Sequence, residues 1–161
     1  MKILFVCSQN MCRSPYCEFM FRKMVQDSPV LRDKVTVLRS SAVMTPGTSI
    51  DPLTVEALVR EGFEKSAAEA HVPGFMYRKA DRKLFDEADV IVGMTRSHKF
   101  MILKPSWRKK FITLSEAATG KYTAVPDPWL QRDTEKYIAE MDKIKAYLEQ
   151  YRDRLESNLP Q

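Results

Sequence analysis

The stretch Cys7-Ser8-Gln9-Asn10-Met11-Cys12-Arg13-Ser14 puts a thiol and a guanidinium at the two ends of a short loop, with a hydroxyl directly after the arginine. A loop this short must curl tightly, so its backbone N–H groups converge and form an anion-binding concavity. A cysteine on the rim of such a concavity is favoured as thiolate, its nucleophilic form. Arg13 offers a planar fork of donors that fits two oxygens of a phosphoryl group. Ser14 can donate to the sulfur, cap a helix, or do both. Together these residues point to attack by Cys7 on a phosphorus atom whose equatorial oxygens are held by the loop amides and Arg13. A zinc site is the weaker reading, because the cysteines have no nearby histidine and match no usual ligand spacing.

A second segment, Asp127-Pro128-Trp129, could complete that chemistry. The leaving group of a phosphate ester needs a proton, and a carboxylic acid over the pocket can supply it. The same carboxylate can then activate water against a phosphocysteine. Pro128 stiffens the loop, and Trp129 offers an apolar wall for an aromatic ring. Taken alone, an Asp-Pro pair reads as a turn with a solvent-facing carboxylate; beside the cysteine loop it gains weight.

The elements that must hold these residues are legible in outline. Lys2 to Cys7 is a short apolar run rich in strand formers, expected as a buried strand. After the polar loop, Ser14-Pro15 resembles an N-cap followed by proline, opening a helix that should stop near Asp27-Ser28-Pro29. A second strand is expected at Val35 to Leu38, a third at Val90 to Val92 and a fourth at Phe111 to Leu114. Helices are expected from Asp51-Pro52 to Gly62, from Ala80 to Ala88, from Thr95 to Lys104 and from about Thr134 to Ser157. The last carries Tyr137, Met141, Ile144, Leu148, Tyr151 and Leu155 as one core-facing stripe. Strands without a polar face that alternate with helices predict an α/β fold. The expected form is a three-layer sandwich with a four-stranded parallel sheet and helices on both faces. Ligands of such sheets bind beyond the carboxyl ends of the strands, which is where the cysteine loop stands.

Composition bounds the rest. The chain has 161 residues, 44% of them hydrophobic, and 26 Lys+Arg against 21 Asp+Glu for a net charge of +5. That predicts one compact domain over 1–161, neither disordered nor collagen-like. Its basic residues are scattered, which fits an anion-attracting surface and not a nucleic-acid arm. No stretch reads as a signal peptide or a membrane span, so a cytoplasmic, membrane-free protein is expected. The three cysteines all fall between Cys7 and Cys17, which is no disulfide framework.

The loop, its place at the start of the chain and the late Asp-Pro-aromatic segment resemble the low-molecular-weight protein tyrosine phosphatase family, over essentially the whole chain. The family loop reads Cys-x-Gly-Asn-x-Cys-Arg-Ser; Cys7, Asn10, Cys12, Arg13 and Ser14 match it, and Gln9 stands in place of the glycine. The resemblance implies a phosphotyrosine protein phosphatase I-like fold and hydrolysis of phosphotyrosine through a cysteinyl phosphate. Cys7 would be the nucleophile, Arg13 the phosphate clamp and Asp127 the general acid and base. Ser8, Gln9, Asn10, Met11, Cys12 and Ser14 would complete the phosphate loop, with Trp129 as pocket wall. It also implies phosphorylated proteins as substrates, no metal or cofactor, and a monomer. Ser41-Ala42 resembles a family pair whose serine supports the loop asparagine, and His71 a histidine of the same network; each is matched by the plainer reading of a turn serine or a surface histidine. Tyr16 and Tyr122 are candidates for the pocket mouth. Cys12 is either the partner of a reversible disulfide with Cys7 or a small buried hydrophobe. An arsenate reductase relay needs cysteines beyond Cys17 and finds none. A protein arginine phosphatase of the same fold remains an alternative, weakened by Met11 where that branch carries threonine. A non-catalytic phosphate-binding domain is the other.

Overall fold

The computed structural model describes residues 1–159; Pro160 and Gln161, the end of the expected domain 1–161, lie outside the described residues. Strand β1 (Lys2–Cys7) alternates its side chains between two cores. Ile3, Phe5 and Cys7 enter one with Phe21, Tyr137 and Leu148, while Leu4 and Val6 enter the other with Phe85, Ile91 and Trp107. Because both faces are covered, the run is apolar throughout instead of alternating. This parity also sends Cys7 toward the helix that follows it.

Helix α1 (Arg13–Asp27) follows the loop directly. The chain returns through β2 (Thr36–Val37) and β3 (Ser41–Ala42), both parallel to β1 and on the same side of it. Next come α2 (Pro52–Arg60), α3 (Lys65–Glu69) and α4 (Lys79–Glu87), then β4 (Val90–Gly93). Helices α5 (Ser97–Met101) and α6 (Pro105–Arg108) lead to β5 (Phe111–Thr113), then α7 (Leu114–Thr119) and α8 (Thr134–Asn158). The sheet order is β2-β1-β4-β5, all parallel, with β3 beside the far end of β1. Four strand positions between two helical layers form the α/β sandwich expected.

The second strand is split, because Ser40 leaves the ladder and gives its N–H to Glu18 Oε2 at 2.7 Å. The helix expected from Thr95 to Lys104 covers only Ser97–Met101. Ile102 turns extended to bury its side chain, and Lys104 is extended ahead of Pro105, as a residue before proline prefers. Phe111 to Leu114 ends as a strand at Thr113, because Thr113 and Glu116 form a capping box that starts α7. Ser14 is not the N-cap of α1; Cys12 is, and the Ser14 hydroxyl turns to the cysteine instead. Among the described residues no helix is long and apolar enough to cross a membrane.

Candidate active site

The loop from Ser8 to Cys12 is shaped from outside. Ser8 O accepts from Met44 N and Thr45 N, Gln9 O from Gly47 N, and Met11 O from Asp51 N, at 2.9 to 3.3 Å. Peptide units are planar and trans, so carbonyls pulled outward turn the N–H groups of Gln9, Asn10 and Cys12 to the opposite, concave side. Gly47 is required here, since a Cβ on it would lie 2.1 Å from Met11 Cγ. Among the described residues, Asn10 supplies the one non-glycine positive φ, at 58°, a conformation asparagine tolerates well. Gln9 needs no such conformation, so the missing glycine leaves the loop path intact and adds only an exposed side chain at the cleft rim.

Asn10 is also the hub beneath the loop. Its amide nitrogen donates to Ser14 Oγ at 2.7 Å and to Ser40 Oγ at 2.9 Å. Its amide oxygen accepts from Gly74 N at 2.9 Å and from His71 Nε2 at 3.0 Å. Ser40 Oγ donates its own hydrogen bond to Glu18 Oε2 at 2.6 Å. Ser14 Oγ, already accepting from Asn10, keeps its hydrogen for Cys7 Sγ at 2.9 Å. The supporting serine is therefore Ser40 and not Ser41. Ser41 is locked in the β3 ladder and its hydroxyl reaches only Ala42 O, at 3.4 Å, whereas Ser40 sits in the gap between β2 and β3 and is free to turn inward. The His71 side chain is buried in this network, and burial keeps it neutral by lowering its pKa.

Arg13 is 3% exposed. It donates from Nη1 to Val125 O at 2.8 Å and from Nη2 to Asp127 Oδ2 at 3.1 Å. Among the described residues, its Nε is the one buried side-chain nitrogen or oxygen without a partner. Cys7, Met11, Cys12 and Arg13 line a narrow cleft, closed from the opposite side by Asp127 and Trp129. The cleft has about 10 Å³ of open space, room for about one water. A roomier cavity of about 550 Å³ beside Phe100, Phe111 and Glu116 contains none of the loop residues. Tyr16 is in the core, and Tyr122 stacks under Arg96 with 4.2 Å between guanidinium and ring, so neither forms the mouth.

Cys7, Cys12 and Cys17 are free thiols. Burial pushes the Cys12 thiol up to about 12, and Sγ points to Asp51 Oδ2 at 3.7 Å. Burial raises Cys17 as well. Two functional neighbours escaped the sequence reading. Arg132 grips Asp51, the N-cap of α2, through 2.8 and 3.3 Å contacts, tying the end of the Asp127 segment to the loop's outer support. His98 is 2% exposed behind the loop and contacts Ser8. The spacing that could have flagged these contacts is long-range, 81 and 90 residues.

The low molecular weight phosphotyrosine protein phosphatase model matches residues 2–161 of this chain. The chain belongs to that family. It is a protein phosphatase, a phosphoric monoester hydrolase. It is 31% identical over 160 residues to a protein-arginine-phosphatase of Bacillus subtilis, covering 98% of this chain and 99% of the relative. A low molecular weight phosphotyrosine protein phosphatase of Sus scrofa is 45% identical over 62 residues, 37% of this chain and 38% of the relative. Among solved structures, a mutant of the arginine phosphatase YwlE with a phosphorylated active-site serine superposes with a TM-score of 0.78. That structure is 30% identical and covers 98% of this chain and 97% of its own.

One pH effect follows from the phosphatase's buried histidines. Burial first, and the charge of Arg13 second, push His98 down to about 4 from 6.5. The unfolded chain therefore binds a proton between those values that the folded chain refuses, and stability present above pH 6.5 is lost as pH falls toward 4. His98 should account for about 3 kcal/mol of that loss. Urea midpoints at pH 7 and pH 4.5 measure it, and His98→Asn should shrink the difference.

Proposed function

We propose that this phosphatase hydrolyses phosphotyrosine in proteins in two steps, with Cys7, Arg13 and Asp127 as its reacting groups. The observation that carries this reading is the convergence on one cleft of a thiol held by Ser14, a buried guanidinium with an unpartnered Nε, and a carboxylate on the facing segment. Cys7 Sγ stands at the rim of the loop, 2.9 Å from Ser14 Oγ, where α1 begins. Cys7 attacks phosphorus and the bond to the phenolic oxygen breaks, while Asp127 protonates that oxygen. Arg13 and the loop amides hold the equatorial oxygens as charge builds on them. Water, deprotonated by Asp127, then cleaves the cysteinyl phosphate. The phosphoserine of the solved YwlE mutant supports a covalent step at this position of the fold.

Arginine phosphatase activity is the second reading, favoured by the full-length relative of that name. Against it stands Met11, whose apolar side chain lines the cleft, suits an aryl ring and has little to offer a guanidinium N–H. The half-exposed Trp129 beside the cleft supports an aryl group in the same way. Matched phosphotyrosine and phosphoarginine peptides decide it: kcat/KM should be higher for phosphotyrosine, and the reverse order would overturn the assignment. We further read the chain as a single domain, supported by one continuous sheet with a core on each face.

A further inference from the structure

His98 lies in α5, beyond the end of β4, and 90 residues separate it from the loop it touches. Its Nδ1 accepts from Met94 N at 3.1 Å and from Thr95 N at 3.4 Å. A ring nitrogen that accepts carries the lone pair, so the single proton of the neutral ring is on Nε2. Nε2–H therefore donates to Ser8 Oγ at 3.1 Å. Ser8 is the residue directly after Cys7, and its carbonyl is held from another side by Met44 N and Thr45 N. Side chain and carbonyl of Ser8 are thus clamped by two different segments of the fold.

We propose that His98 is a positioning residue for the reaction: by holding the Ser8 hydroxyl it fixes the first peptide units after Cys7, and so the aim of the loop N–H groups at the phosphoryl oxygens. The inference rests on the reading of this loop as the phosphate site. A plain structural role for His98, capping the turn at Met94 and Thr95, needs only Nδ1; the Nε2 bond is an addition to it. Burial and the nearby Arg13 guanidinium keep the ring neutral, so the same tautomer persists through the neutral range.

The two ring nitrogens can be separated by substitution. His98→Asn keeps an acceptor near Nδ1 and is too short to reach Ser8. His98→Gln reaches Ser8 with its amide and gives up the Nδ1 acceptor. Aryl phosphate turnover, inhibition by inorganic phosphate and urea stability are measured for both, for Ser8→Ala and for His98→Asn with Ser8→Ala. His98→Asn is expected to lose about tenfold in kcat/KM and to bind phosphate more weakly in proportion, the scale of one hydrogen bond. His98→Gln should recover most of both while being the less stable of the two. Ser8→Ala should cost little more once His98 is Asn, because both remove one link. Activity that follows stability, or a His98→Asn protein with wild-type kinetics, overturns the inference. A wild-type protein that neither binds phosphate nor hydrolyses an aryl phosphate overturns the functional reading itself, and with it the inference.

Discussion

Cys7→Ser is expected to lower aryl phosphate turnover by about 10⁴-fold or more while leaving the fold and phosphate binding in place. The side chain is 3% exposed and close-packed, and serine fits the same space without disturbing the core around Phe5 and Cys17. What disappears is the nucleophile. An alcohol is a far weaker nucleophile than a thiol, and the Ser14 hydroxyl, 2.9 Å from Cys7 Sγ, does not make up the difference. Arg13 and the loop amides are untouched, so inorganic phosphate should still bind with near-native affinity. Initial rates with p-nitrophenyl phosphate and calorimetry with phosphate measure the two halves separately. Retained turnover in Cys7→Ser would remove Cys7 from the role of nucleophile; lost turnover together with lost phosphate binding would mean that the substitution had damaged the loop.

Asp127→Asn is expected to lower kcat/KM for phosphotyrosine by about 10²- to 10³-fold, and far less for an aryl phosphate whose leaving group departs without a proton. The contrast is the informative part, because only an acid that protonates the leaving oxygen yields an effect graded by leaving-group basicity. The second step should slow for every substrate, since the same carboxylate activates water. A burst of phenol followed by a slow steady state would report the accumulated cysteinyl phosphate. Asparagine keeps an oxygen for the contact to Arg13 Nη2, now 3.1 Å, so the clamp itself should survive. An equal loss with good and poor leaving groups would show that Asp127 acts by holding Arg13 and not as an acid.

Much of the site was legible in the chain because it is local. Cys7 to Ser14 is one turn of backbone between a strand and a helix, and its chemistry depends on residues a few positions apart. The loop's supports were less legible because they are brought together by the sheet. Ser40, with Glu18 behind it, and His71 and Gly74 meet at Asn10 only when β3 lies against β1 and the 71–74 segment folds under it. Ser40 and Ser41 are neighbours whose side chains take opposite directions, so a match of residue types along the chain does not tell which one reaches Asn10. Helix α7 carries a readable start in its Thr-x-x-Glu box, masked in the sequence by Leu114, which continues the apolar run of β5.

From the sequence by itself came the layered α/β architecture, the placement of a thiol at the carboxyl end of the first strand, and the candidate thiol, guanidinium and carboxylate. These rest on side-chain type and short spacing, which the chain carries along its length. The tertiary structure alone decided that Gln9 is harmless to the loop path, that Asn10 is the hub, that Arg132 braces the Asp127 segment against α2, and that His98 bolts Ser8 to β4's end. The last two are hydrogen bonds between groups 81 and 90 residues apart. A one-dimensional pattern contains the donors and acceptors but not the distances of about 3 Å that pair them.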